Sequence, residues 1–67
     1  MEEKYYFGRK CRNIKYNIEE TIIGYGLMKI NNEWFEAITY KGICRFTGKE
    51  KMYTKLLTDF EKEFELI

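Results

Sequence analysis

Two β-rich runs, Thr21 to Ile30 and Glu33 to Tyr40, are separated only by Asn31-Asn32. Asparagine tolerates left-handed backbone angles, so this dipeptide suits a two-residue hairpin turn. Such a turn fixes the pairing register, and a slip of one residue would send every side chain to the wrong face. Ile30 is expected opposite Glu33, Met28 opposite Phe35, Gly26 opposite Ala37 and Gly24 opposite Thr39. On the other face Lys29 meets Trp34, Leu27 meets Glu36, Tyr25 meets Ile38 and Ile23 meets Tyr40.

The remaining elements follow from shorter signals. Ile14, Tyr16 and Ile18 alternate with polar residues, the period-2 pattern of a half-buried strand over Arg12 to Ile18. Asn17 to Glu20 then reads as a turn. Lys41-Gly42 is a second turn candidate, with Ile43 to Phe46 as the returning strand. Tyr53, Leu56, Leu57, Phe60, Phe64 and Ile67 recur at spacings of three and four, a helical stripe. Thr47 and Glu50 have capping-box spacing. A helix is expected over 48–66, with a break near Thr58, giving a shorter helix or a final strand, as the alternative. The expected fold is α+β: a small antiparallel sheet of three to four strands packed by a C-terminal amphipathic helix. One domain spans 1–67, with a basic N-terminal arm and first strand (1–20), antiparallel hairpins (21–46) and the helix (48–66).

The register separates two sheet faces. One holds Met28, Phe35, Ala37, Cys44, Phe46, Gly24 and Gly26, is nearly free of charge, and is the expected seat of the helix. The other holds Ile23, Tyr25, Leu27, Trp34, Ile38, Tyr40 and Ile43, interleaved with Lys29, Glu36 and Arg45. Unpaired charges are costly beneath a packed helix, yet so much apolar area is not normally left bare. A partner protein is therefore expected on Tyr25, Lys29, Trp34, Glu36, Tyr40 and Arg45, residue types that dominate interface energetics. A second copy of the chain is a further candidate occupant. Alternatively, the N-terminal segment with Tyr5, Tyr6, Phe7, Ile14 and Tyr16 folds over that face and closes a small barrel. The strand-rich middle followed by Leu56-Leu57-x-x-Phe60 resembles short SH3-like barrel proteins of bacteria and phages. The resemblance spans about the last half of the chain and implies an SH3-like small β-barrel as the alternative fold.

Catalytic chemistry finds little support. The chain has no histidine, the commonest general base and metal ligand. Cys11 and Cys44 are isolated, without zinc-site spacing and without a histidine to activate either sulfur. Gly24-Tyr25-Gly26 lacks the further glycine of a phosphate-binding loop. No enzyme activity, cofactor or metal is expected. The charged start Met1-Glu2-Glu3-Lys4 does not read as a signal peptide, and no apolar run approaches the roughly 20 residues that span a membrane. The two thiols are accordingly read as reduced and the location as cytoplasmic.

Net charge is +1 but uneven: Lys4, Arg9, Lys10, Arg12 and Lys15 precede any acid after residue 4, whereas Asp59, Glu61, Glu63 and Glu65 crowd the end. Tyr5, Tyr6, Arg9, Lys10 and Arg12 form a possible basic arm. With the sheet aromatics they make nucleic-acid binding the alternative function, by base stacking and phosphate contacts. The low net charge weighs against it. The leading expectation is a small non-enzymatic protein-binding module. Its size and its Lys, Ile and Asn bias suit a phage or mobile-element inhibitor or adaptor acting on a host protein such as a defence nuclease.

Overall fold

A computed structural model describes residues 4–44 and 46–67. Its elements are β1 (Lys10–Asn13), β2 (Ile18–Ile30), β3 (Glu33–Ile43), β4 (Glu50–Leu56), α1 (Leu57–Glu63) and β5 (Phe64–Leu66). The strands form one antiparallel sheet in the order β4-β3-β2-β1-β5. The α+β class is as expected, but the sheet has five strands rather than three or four, and the helix is short.

Asn31 and Asn32 take φ of 50° and 66°, the left-handed pair of a type I′ turn whose twist matches the flanking strands. Pairing follows the expected register from Ile30–Glu33 to Gly24–Thr39. There a β-bulge intervenes, and Ile22, not Ile23, faces Tyr40. The extra residue rotates Ile22 onto the Tyr40 face, where it is fully buried.

Three local expectations change. β1 ends at Asn13, and residues 14–17 turn back, with Asn17 at φ 55°; the Asn13 side-chain oxygen accepts the Tyr16 N–H at 3.0 Å, a local bond that competes with strand pairing. β3 runs through Lys41-Gly42 without turning. The chain reverses between β3 and β4 instead, where Gly48 adopts φ 73°. The expected 48–66 helix is β4, α1 and β5 in succession. β3 needs hydrogen-bond partners along its outer edge, and Met52, Tyr53 and Thr54 suit a strand that supplies them. The Thr47 hydroxyl accepts the Lys49 N–H within the turn rather than capping a helix. The helix starts one residue before Thr58, so the shorter helix and final strand are what this region forms.

Seven residues of α1 carry the chain from one edge of the sheet, β4, to the other, β5, a span of about 10 Å. The sheet must curl for so short a link to suffice. It is not a closed barrel, since β4 and β5 remain its edges. The concave side holds the core: Tyr5, Cys11, Ile22, Ile38, Tyr40, Leu57, Phe60 and Phe64. Phe60 stacks on Phe64 with centroids 4.5 Å apart, and both lean on Tyr40, at 5.6 and 4.9 Å. Burying each such side chain contributes roughly 1.5–3 kcal/mol.

The helix therefore covers the face expected to be free. Gly24, Gly26 and Ala37 offer too little volume to fill a curled interior, whereas Ile38 and Tyr40 fill it. Met28, Phe35 and Thr39 lie on the convex side, and Phe46 stands exposed in the turn. Lys29 and Glu36 escape burial because they sit near the hairpin end, where both remain exposed. Only the half of the face near Tyr40 is covered.

Candidate functional site

Five of the six residues expected to bind a partner lie among the described residues, and they divide between two ends of the β2–β3 hairpin. Tyr40 is 5% exposed and belongs to the core. Tyr25 is stacked beneath Tyr5, centroids 5.8 Å apart and nearly parallel, so the N-terminal segment does cover this part of the face. Arg45 lies outside the described residues. Lys29, Trp34 and Glu36 do come together. Trp34 is 62% exposed, and Leu27, diagonal to it on the same face, is 64% exposed. The Lys29 ammonium lies 5.7 Å from the Trp34 ring centre, as their cross-strand pairing dictates. A groove of about 270 Å³ runs from Trp34 and Glu36 to Leu57 and Glu61 of α1.

The basic arm is engaged within the molecule. The Tyr5 hydroxyl donates to Glu61 Oε2 at 2.7 Å, and Lys4 lies 3.9 Å from the same oxygen. Arg12 pairs with Glu65 at 3.1 Å, and Arg9 Nε donates to the Ile67 carbonyl oxygen at 3.1 Å. Lys10 donates to the Thr21 hydroxyl, while Tyr6 is exposed with the Arg9 guanidinium against its ring. The antiparallel pairing of β1 with β5 thus brings the basic start beside the acidic end. The charge asymmetry of the sequence is largely an internal complementarity.

The opposite end holds a cleft of about 560 Å³ that sequence reasoning missed, bordered by Glu20, Tyr40, Cys44, Tyr53, Lys55, Glu63 and Phe64 among others. Lys55 donates to Glu63 Oε1 at 2.7 Å and lies 5.6 Å from the Phe64 ring centre. Desolvation works against its charge, but the bond to Glu63 and the nearby Tyr40 hydroxyl outweigh this and raise its pKa. Burial raises the Glu20 pKa, with Lys55 pulling the other way. Glu20 Oε2 is enclosed and has no hydrogen-bond donor among the described residues. Gly42 makes room for it: a Cβ there would sit 2.7 Å from Glu20 Cγ. Cys44 is held at a pKa of about 7 by the Thr47 hydroxyl, the Thr47 and Phe46 amides and the Tyr53 hydroxyl. Cys11, fully enclosed, is pushed up to about 11 by burial and by the charge of Glu20. The two cysteines are not bonded to each other.

Among the described residues no group of three His, Cys, Asp or Glu side chains is placed to hold a metal ion, and no helix is long and apolar enough to cross a membrane. No family model, curated protein or solved structure matches this chain.

Proposed function

We propose that the chain is a non-enzymatic protein-binding module that docks through the open end of its β2–β3 hairpin. The observation that carries this reading is the exposure of Trp34 beside Leu27 on paired strands. A tryptophan held in place by a cross-strand lysine can bury large area with little further loss of side-chain freedom. Phe35 and Ile30, on the other side of the same hairpin end, are also exposed and extend the apolar surface around its edge. Lys29 and Glu36 add one charge of each sign, which favours a mixed protein surface over a polyanion. The internal pairing of Arg9, Lys10 and Arg12 leaves little of the basic arm for phosphates and weighs against the nucleic-acid alternative. A small inhibitor or adaptor covering part of a host protein, as a phage or mobile element would encode, fits a surface of this size.

The test compares the wild-type chain with Trp34→Ser. Trp34 is largely solvated, so this variant should keep its unfolding midpoint, with stability changed by no more than about 0.5 kcal/mol. A protein retained by the wild type from an extract of the native host should be lost by the variant. Equal retention by both, or a nucleic-acid gel shift that weakens with salt, would overturn the reading.

A further inference from the structure

The cleft lies at the other end of the hairpin, about 20–30 Å along β3 from Trp34 at the usual strand rise. It carries its own chemistry and does not rest on the hairpin reading. Within it one organic cation is already seated: the Lys55 ammonium, held by a carboxylate at 2.7 Å and facing an aromatic ring at 5.6 Å. A second carboxylate, Glu20, borders the same cleft beside the stacked rings of Tyr40 and Tyr53, whose centroids are 5.5 Å apart. Glu63 is engaged by Lys55, whereas no donor among the described residues reaches Glu20 Oε2, which is itself enclosed. The cleft volume is within the range that takes a small ligand or an inserted side chain.

We propose that this cleft binds an organic ammonium group, with Glu20 meeting its charge and the Tyr53 ring meeting its alkyl part. A carboxylate with an aromatic wall is the combination that recognises such cations, and partial desolvation strengthens both contributions. Among the described residues lining the cleft, two carboxylates face one resident ammonium, an excess of negative charge over positive. An inorganic anion would meet both carboxylates and is disfavoured. The ammonium belongs either to a free amine or to a lysine of another chain; the chemistry is shared, and the experiment separates them.

The groups facing Glu20 are Cys11 on β1, Tyr40 on β3, Tyr53 and Lys55 on β4, and Glu63 on α1, with Cys44 at the cleft rim. Of these Glu20 carries the charge the ligand meets, and burial raises its pKa. Binding should therefore weaken as acid protonates Glu20, and the Cys44 thiol, at about 7, should not set that midpoint.

The probes are butylammonium, a blocked pentapeptide carrying one lysine, and their neutral counterparts, butanol and the norleucine peptide. Each is titrated against the isotope-labelled chain and followed by amide and aromatic chemical shifts. Saturable millimolar binding of a charged probe, centred on Glu20, Tyr53 and the neighbouring cleft residue Ile43, with no comparable effect of its neutral control, is the expected result. Tighter binding of the peptide than of butylammonium would assign a chain-borne lysine, and equal binding a free amine. Glu20→Gln should weaken binding about tenfold while removing an enclosed charge, so its fold should persist; Tyr53→Leu should weaken binding to a similar degree. Equal binding of the neutral controls, no saturable binding at all, or undiminished binding by a folded Glu20→Gln variant would overturn the proposal.

Discussion

Gly42→Ala probes how tightly Glu20 is fitted against β3. An added Cβ would lie 2.7 Å from Glu20 Cγ, 2.9 Å from Cδ and 3.2 Å from Oε2, where ordinary carbon contacts lie at about 3.5–4.0 Å. The overlap involves the middle of the Glu20 side chain, so turning its tip is not enough to relieve it. Overpacking of this kind costs about 1–3 kcal/mol. Gly42 does not have a positive φ, so alanine fits the backbone and returns about 0.4–1 kcal/mol by restricting the unfolded chain. The net expectation is a loss of about 1–2 kcal/mol. That is a sizeable share of the roughly 3–10 kcal/mol usual for 67 residues. In a Glu20→Ala background the clash is gone and only the favourable part remains, so Gly42→Ala should become stabilising. Urea unfolding of the four proteins of this cycle, followed by circular dichroism, measures both effects. The same sign and size of change in both backgrounds would refute the contact.

Other consequences follow from the core and the cleft. Phe60, 1% exposed between Tyr5, Tyr40 and Phe64, should cost about 3–5 kcal/mol on truncation to alanine; differential scanning calorimetry should show little or no cooperative transition. Glu20→Gln should stabilise the chain at neutral pH. The folded-state pKa of Glu20 is raised, so its unfavourable contribution is absent below the unfolded-state pKa and grows as pH rises through the folded one. The gain should therefore vanish in acid, and a gain independent of pH would contradict it. Cys44 should react with iodoacetamide in the native state with a rate midpoint near pH 7, shifted upward in Thr47→Val. Cys11 should stay unmodified until the chain unfolds, which peptide mass mapping can follow.

The hairpin was legible because Asn31-Asn32 is a local signal: two residues that accept left-handed angles determine the turn, and the turn determines the pairing as far as Gly24–Thr39. The bulge at Ile23 was not, because nothing local distinguishes it. What demands it is the distant need to bury Ile22 beside Tyr40. The spacing of Tyr53, Leu56 and Leu57 fits a helix and a strand equally over so short a run, and the open edge of β3 decides for the strand. The division of the sheet into two faces was readable, but which one curls inward depends on volume. Bulky Ile38 and Tyr40 can fill a concave interior that Gly24, Gly26 and Ala37 cannot. Of the candidate site, Lys29, Trp34 and Glu36 were recoverable because they lie in register on one hairpin. The cleft was not, since Glu20, Tyr53, Lys55 and Glu63 come from three elements that meet only after the sheet has curled.

Trp34 is the only tryptophan in the chain, so its fluorescence reports directly on whether the hairpin end lies in water. Emission and acrylamide quenching are to be measured at a dilution where sedimentation shows a monomer, and compared with the urea-unfolded chain. Native emission close to that of the unfolded state, with quenching nearly as efficient, is the expected outcome. A blue-shifted, shielded tryptophan in the monomer would place Trp34 in the core and contradict both the arrangement of the sheet and the docking surface built on it.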